Sequence, residues 1–87
     1  MCKVSVIVPV YNVENYIYDM LTSVQEQTFK DFEVIMVDDG STDDSPQIAG
    51  EFAARDGRFK YFRQENAGVS AARNFGIREA SGDYMVF

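Results

Sequence analysis

A nearly unbroken apolar run covers residues 32–37 and ends abruptly in two carboxylates, Asp38 and Asp39. A strand that is apolar at successive positions is typical of a parallel sheet with helices on both faces. The abrupt change to charged residues predicts that both carboxylates lie at the tip of this strand, where it leaves the core. Because open α/β sheets bind ligands at the carboxyl ends of their strands, we expect a ligand site there, with a nucleotide-type ligand as the first hypothesis.

Strand and helix patterns alternate along the whole chain. Four segments have strand patterns and are predicted as strands: about 3–9, 32–38, 59–64 and 84–87. The segments between them carry helical spacing or helix start and stop signals. The order is therefore βαβαβαβ, which predicts an α/β fold with a parallel sheet and right-handed crossovers.

Local signals predict where the three helices begin and end. Asn12 is the expected N-cap of the first helix. The buried face of that helix would carry six apolar residues: Val13, Tyr16, Ile17, Met20, Leu21 and Val24. Ser45 is expected to cap the second helix with its hydroxyl, before Pro46 at the first helical position, and Asp56-Gly57 predicts the end of that helix. The third helix is expected at about residues 69–80.

Length and composition indicate one globular unit. With 87 residues the chain allows one domain at most, and its 46% hydrophobic share is ample for a packed core. The chain stops inside the apolar segment 84–87 without a turn or a polar tail, so we expect residues 1–87 to be a truncated, incomplete domain. An unprotected edge strand and exposed apolar surface would follow, and we predict self-association of the isolated chain.

Charge and residue types exclude several functional classes. The formal net charge of −6 argues against nucleic acid as a partner, because nothing would offset phosphate repulsion across a broad face. The absence of histidine removes Ser-His-Asp catalysis and His-rich zinc sites, so any acid or base in this segment must be a carboxylate. The single cysteine, Cys2, suits a reducing compartment, and we expect a cytoplasmic protein with no membrane span in this segment.

The segment after the first strand has no phosphate-binding glycine motif. Neither Gly-x-x-x-x-Gly-Lys nor Gly-x-Gly-x-x-Gly follows the first two predicted strands, which disfavours ATPases and Rossmann-type oxidoreductases. Tyr11 and Asn12 stand there instead. The Tyr11 ring either stacks on a nucleobase or packs on the surface, while Asn12 is expected to cap the following helix.

Further candidate ligand contacts follow the next two strands. Asp38 and Asp39 lie at a strand tip, where an aspartate can accept a hydrogen bond from a base edge. Asp43 and Asp44 are expected to stabilise the N-terminus of the second helix. Arg73 either binds a phosphate or an acidic partner such as Asp39, or is an ordinary surface arginine.

Three motifs taken together resemble family 2 glycosyltransferases. They are Val6-Ile7-Val8-Pro9-Val10-Tyr11-Asn12, Val37-Asp38-Asp39-Gly40-Ser41-Thr42-Asp43 and Asn66-Ala67-Gly68-Val69-Ser70-Ala71-Ala72-Arg73-Asn74. The resemblance runs from residue 4 to residue 87 and includes Gln27-Thr28-Phe29. It implies a Rossmann-like, three-layer GT-A fold with the strand order 3-2-1-4. It also implies a nucleotide-sugar donor, usually a UDP-sugar, bound at the strand ends.

The resemblance implies roles in the donor site for six residues: Pro9, Tyr11, Asn12, Asp38, Asp39 and Arg73. Pro9, Tyr11 and Asn12 would line the base pocket, with Tyr11 stacked on the uracil. Asp39 would accept a hydrogen bond from the uracil ring N–H, and Asp38 would be a supporting or ribose-side carboxylate. Arg73 would help to order the donor site near Asp39 and the phosphates.

Other parts of such an enzyme are expected outside this chain. In the family, the Asp-x-Asp that holds Mg²⁺ or Mn²⁺ follows the strand that ends here at Phe87, and the catalytic base and the acceptor site come later. We therefore assign no catalytic or metal-binding residue within residues 1–87 and expect this fragment to be inactive. The resemblance implies that the full-length protein transfers a sugar, with inversion, to a hydroxyl acceptor such as a saccharide or a lipid-linked saccharide.

Two points stay open at the level of the sequence. The alternative to an enzyme is a non-catalytic nucleotide-binding or interaction module of the same fold. Membrane association through segments outside this chain is compatible with the resemblance, as is a part in polysaccharide biosynthesis.

Overall fold

A computed structural model describes residues 4–27, 30–82 and 84–86. Within them the elements are β1 (Val4–Val10), α1 (Ile17–Gln25), β2 (Phe32–Asp38), α2 (Ser45–Arg55), β3 (Phe59–Arg63), α3 (Val69–Glu79) and β4 (Tyr84–Val86). The predicted alternation of strands and helices is confirmed. Lys3 and Phe87, which the sequence pattern assigns to the outer strands, lie outside the described residues.

The four described strands form one parallel sheet in the order β3-β2-β1-β4. In this sheet Val6 of β1 pairs with Val34 of β2 on one side and with Val86 of β4 on the other. This arrangement confirms the predicted parallel sheet and the strand order 3-2-1-4 that the family resemblance implies. Since all strands point the same way, the loops that follow β1, β2 and β3 meet at one edge of the sheet.

Helices cover both faces of the sheet. α1 and α2 pack on the face formed by the even-numbered residues of β1 and β2, and the buried core on that face is Val8, Val10, Ile17, Leu21, Phe32, Val34, Met36, Ala49, Phe52 and Phe59. α3 packs on the opposite face, against Ile7, Ile35 and Val37. All seven residues of β2 are buried, as its apolar run predicts. None of the helices in the described ranges has the length and apolar character needed to cross a bilayer.

Gly76 allows α3 to approach β1 closely. A Cβ atom at this position would lie 2.5 Å from Cγ2 of Ile7, which is buried. A glycine in a helix interior costs about 1 kcal/mol relative to alanine. The packing of α3 on the sheet therefore depends on a residue that weakens the helix itself.

The predicted N-cap of α1 is wrong. α1 begins at Ile17, after a turn in which the Ile17 N–H donates to the Val13 carbonyl at 2.9 Å. The N-cap position is held by Tyr16. Asn12 has a left-handed backbone with φ 51°, and its Oδ1 accepts a hydrogen bond from the Thr42 N–H at 2.8 Å. Asn12 therefore connects the loop after β1 to the loop after β2. It lies too far from Ile17 to cap α1, because the chain makes a further turn before the helix starts.

Four of the six apolar residues predicted for the buried face of α1 pack into the core: Val13, Ile17, Leu21 and Val24. The prediction is wrong for Tyr16 and Met20, which are 72% and 38% exposed. Tyr16 precedes the first helical residue, so helical periodicity does not describe its direction.

Ser45 is the first residue of α2, and the cap position before it is held by Asp44. The expected capping role of the Ser45 hydroxyl is therefore wrong. Its Oγ accepts a hydrogen bond from the Val13 N–H at 2.9 Å, and Ser45 is fully buried. Pro46 lies in the first turn and the helix ends just before Asp56, as predicted.

A buried carboxylate ties together the amino-terminal ends of the strands. Glu33 is 4% exposed and accepts hydrogen bonds from Ser5 Oγ (2.6 Å), Lys60 Nζ (3.0 Å), the Ser81 N–H (2.6 Å) and Ser81 Oγ (3.0 Å). Burial raises the pKa of Glu33, but the hydrogen bonds outweigh it and lower the pKa to about 2. Glu33 thereby links β1, β2, β3 and the segment before β4.

Candidate functional site

A cavity of about 420 Å³ lies at the carboxyl edge of the sheet. Its walls come from the end of β1, the loops after β1, β2 and β3, and the start of α3: Pro9, Tyr11, Val13, Asp39, Asn66, Gly68 and Val69. The cavity therefore brings together three of the six predicted site residues, Pro9, Tyr11 and Asp39. The cavity lies at the carboxyl ends of the strands, which is where open α/β sheets bind their ligands.

Tyr11 supplies an accessible aromatic face to this cavity. The residue is 49% exposed, and Pro9 and Val13 beside it complete an apolar wall. Asp39 also lines the cavity and is acceptor-only when ionised. An aromatic ring together with a hydrogen-bond acceptor is suited to a flat, polar-edged ring such as a nucleobase.

The loop that carries Tyr11 is held by the side chains of residues 41–45. Three successive backbone N–H groups donate to them: Asn12 to Ser41 Oγ (3.1 Å), Val13 to Ser45 Oγ (2.9 Å) and Glu14 to Asp43 Oδ2 (3.0 Å). Asp43 Oδ1 also accepts the N–H of Ser45 at 2.9 Å, which places this carboxylate at the N-terminus of α2 as predicted. Burial raises the pKa of Asp43, but the hydrogen bonds it accepts outweigh burial and lower the pKa.

Asp39 is held by the loop of residues 64–68, which connects β3 to α3. Its Oδ1 accepts hydrogen bonds from Gln64 Nε2 (2.8 Å) and the Ala67 N–H (2.7 Å), and its Oδ2 accepts the Gly68 N–H (3.0 Å). The hydrogen bond from Gln64 is the largest cause of a lowered pKa at Asp39. Gly68 has φ 97°, a backbone conformation that is strained for residues with a Cβ atom, so this position of the loop favours glycine.

Asp38 faces away from the cavity. Adjacent strand residues point to opposite faces of a sheet, so Asp38 and Asp39 diverge. Asp38 is fully buried, with Oδ1 accepting the Ser41 N–H (2.7 Å) and Oδ2 accepting from Tyr61 Oη (2.6 Å) and Arg63 Nη1 (3.3 Å). The carboxylate is enclosed by protein donors, as suits the supporting role implied for Asp38, and a ribose contact stays a prediction.

The described residues that line the cavity do not include Asn12 or Arg73. Asn12 acts through its contact with Thr42, and Arg73 is exposed in the second turn of α3. A contact between Arg73 and a donor phosphate stays a prediction. Sequence reasoning missed Gln64, which has no motif signal of its own and is identified only by its bond to Asp39.

Within residues 4–27, 30–82 and 84–86, no group of three or more His, Cys, Asp or Glu side chains is arranged to hold a metal ion. Asp38 and Asp39 do not fit a shared metal site, because they diverge and accept hydrogen bonds from the protein. Asp43 is likewise engaged by two backbone N–H groups.

Comparison with known proteins gives one consistent result. The model of the family described as "Glycosyl transferase family 2" matches residues 5–87. Glycosyltransferase GlyA from Streptococcus pneumoniae is 54% identical over 85 residues, which is 98% of this chain and 12% of that protein. Putative glycosyltransferase EpsH from Bacillus subtilis is 50% identical over 84 residues, which is 97% of this chain and 24% of that protein. The chain thus spans between about an eighth and a quarter of these relatives.

Solved structures agree in fold. Residues 1–349 of TarS from S. aureus, in complex with UDP, superpose with a TM-score of 0.87 at 37% identity, over 98% of this chain and 26% of that one. The mannosyltransferase PcManGT from Pyrobaculum calidifontis, in complex with GDP-Man and Mn²⁺, gives a TM-score of 0.79 at 31% identity, over 91% of this chain and 24% of that one.

Proposed function

The chain belongs to glycosyl transferase family 2, and from that premise we propose that it forms the donor-nucleotide-binding part of an enzyme that transfers a sugar from a nucleotide-sugar to a hydroxyl acceptor. The proposed donor is a UDP-sugar and the proposed outcome is inversion at the sugar carbon. The UDP bound by the similar TarS supports the choice of donor. The observation that carries the proposal is that Tyr11 and Asp39 line one cavity at the strand tips.

The proposed base pocket uses the two walls of this cavity. The exposed face of Tyr11 stacks on the uracil, and the ionised Asp39 carboxylate accepts a hydrogen bond from the ring N–H. A carboxylate has about four acceptor positions, and the protein's own donors fill three of them at Asp39. With the donors that residues 4–27, 30–82 and 84–86 supply, one position, on Oδ2, remains for the base.

The donor diphosphate needs positive charge that this chain does not provide in excess, since its net charge is −6. In our proposal a Mg²⁺ or Mn²⁺ ion neutralises the diphosphate, and its ligands belong to the remainder of the protein, as does the catalytic base. The Mn²⁺ bound by PcManGT supports a divalent metal in this family. The 87 residues alone are then expected to be inactive and to bind UDP at best with a Kd of about 1 mM, near −4 kcal/mol.

A cytosolic location and a part in polysaccharide biosynthesis belong to the same proposal. The single cysteine at Cys2 supports a reducing compartment. Membrane association through segments outside this chain is also part of the proposal.

Titration of UDP into the full-length protein, with and without Mn²⁺, tests the proposal. We expect metal-dependent binding that Asp39→Asn weakens by about tenfold or more, because the amide group places a donor against the backbone donors of the loop. Asp44→Asn removes a charge from the same acidic segment at an exposed residue and is the matched control. Unchanged binding in Asp39→Asn would contradict the pocket assignment. Binding of UDP-sugars without any transfer to added acceptors would favour the non-catalytic module.

A further inference from the structure

The side chain of Gln64 donates a hydrogen bond to Asp39, a residue that lines the cavity. Its Nε2 donates to Asp39 Oδ1 at 2.8 Å, and Gln64 itself is half-buried just after β3. Its backbone N–H donates to the Asp38 carbonyl at 2.9 Å, which extends the pairing of β2 and β3 by one step. The position of Gln64 is therefore set by the sheet, whereas its side chain reaches the carboxylate that lines the cavity.

The chemistry of this pair determines its orientation. An ionised carboxylate has acceptors only, so the amide nitrogen of Gln64 and not its oxygen must face Asp39. Among the described residues, Oδ1 of Asp39 accepts from Gln64 and from the Ala67 N–H, while Oδ2 has one partner, the Gly68 N–H. The asymmetry leaves the free acceptor position on Oδ2.

We propose that Gln64 is a positioning residue for nucleobase recognition, turning Asp39 so that Oδ2 is presented to the ring N–H of the base. This inference rests on the proposed function, since it concerns the same pocket. The Ala67 and Gly68 donors lie in the connecting loop, whereas the backbone of Gln64 is hydrogen-bonded to the end of β2. The Gln64 side chain is therefore a donor to Asp39 whose position is set by the sheet.

Gln64→Glu tests the proposal through pH. The variant sets a second carboxyl group against Asp39, and two carboxyl groups in contact cannot both ionise without repulsion. Because this repulsion raises the pKa of one of the two carboxyl groups, we expect the pair to share one proton at about pH 5, which restores an O–H donor between residue 64 and Asp39. At about pH 8 both groups are charged and no donor remains. The readout is the ratio of the Kd for UDP, with Mn²⁺ present, between the variant and the wild-type full-length protein.

We expect a ratio near 1 at about pH 5 and of about 10 or more at about pH 8. Gln64→Asn, which is too short to reach Asp39, is expected to raise the ratio equally at both pH values. Glu65→Gln changes the charge of the exposed neighbouring residue and is expected to leave the ratio near 1 throughout. Circular dichroism at each pH shows whether the variants keep the fold.

Two results would overturn the proposal while the wild-type protein binds UDP. The first is a ratio near 1 at both pH values for Gln64→Glu, which would mean that Asp39 needs no donor from this side chain. The second is a Kd ratio for Gln64→Glu that is raised equally at both pH values. It would mean that the shape of the Gln64 side chain matters and its hydrogen-bond donor does not. Absence of UDP binding by the wild-type protein would instead refute the proposed function, and this inference with it.

Discussion

Replacement of Glu33 by glutamine should destabilise the protein strongly, because Glu33 is a buried carboxylate that four protein donors contact. Glu33 is 4% exposed and accepts hydrogen bonds from Ser5, Lys60 and Ser81. The fall of its pKa from the ordinary 4.5 to about 2 corresponds to roughly 3 kcal/mol of folding free energy at neutral pH. The Glu33→Gln variant would not recover this free energy, because a glutamine side chain offers one acceptor oxygen and places an NH₂ donor against the remaining donors.

The same shift predicts a pH dependence with a definite sign. Because the pKa of Glu33 is lower in the folded protein, its stabilisation is complete above pH 4.5 and is lost as the pH falls toward 2. The wild-type protein should therefore lose about 3 kcal/mol more than Glu33→Gln across this interval. Other carboxylates with lowered pKa, such as Asp39 and Asp56, lose stability equally in both proteins and cancel in the difference.

Urea denaturation of both proteins between neutral and acid pH measures these free energies of unfolding. Glu51→Gln, on the exposed side of α2, is the matched control and should stay within about 0.5 kcal/mol of the wild type. Equal stability of Glu33→Gln and wild type at neutral pH, or equal losses in acid, would refute the assignment of a stabilising buried carboxylate.

Three further predictions concern packing, the cavity and association. Gly76→Ala should destabilise the protein by about 1 to 3 kcal/mol because its Cβ meets Ile7, whereas Gly50→Ala, with nothing within 4 Å, should be neutral or stabilising in thermal unfolding. Tyr11→Ala should weaken UDP binding by about 1 to 3 kcal/mol in calorimetry while Tyr11→Phe retains it, since stacking needs the ring and not the hydroxyl; equal losses would contradict stacking. The isolated 87-residue chain should self-associate through exposed apolar surface, and a monomer by light scattering at high concentration would contradict this.

The arrangement of strands and helices follows from local patterns in this sequence. The apolar run of β2 requires cover on both faces, and the order of elements requires parallel strands whose tips share one edge. Tyr11 and Asp39 each follow a strand directly, so their common location at that edge could be predicted from the chain alone. Membership of the family was also readable from the three motifs.

The roles of individual polar side chains were decided by tertiary contacts. Asp38 and Asp39 are adjacent, chemically identical and both buried, yet the Asp38 carboxylate contacts Tyr61 while Asp39 lines the cavity. Asn12 is a residue type that often caps helices, but its side chain accepts a hydrogen bond from Thr42, 30 residues away. Gln64 and Glu33 have no local signal, because their partners lie 25 and up to 48 residues distant along the chain.

What the sequence by itself determined is the set of properties that depend on periodicity and on the residues next in the chain: the elements, the parallel sheet and the edge at which the site lies. What only the tertiary structure decided is which oxygen faces which donor. The physical reason is that backbone pattern acts over a few residues, whereas hydrogen bonds are specified by distances of about 3 Å between atoms that folding brings together.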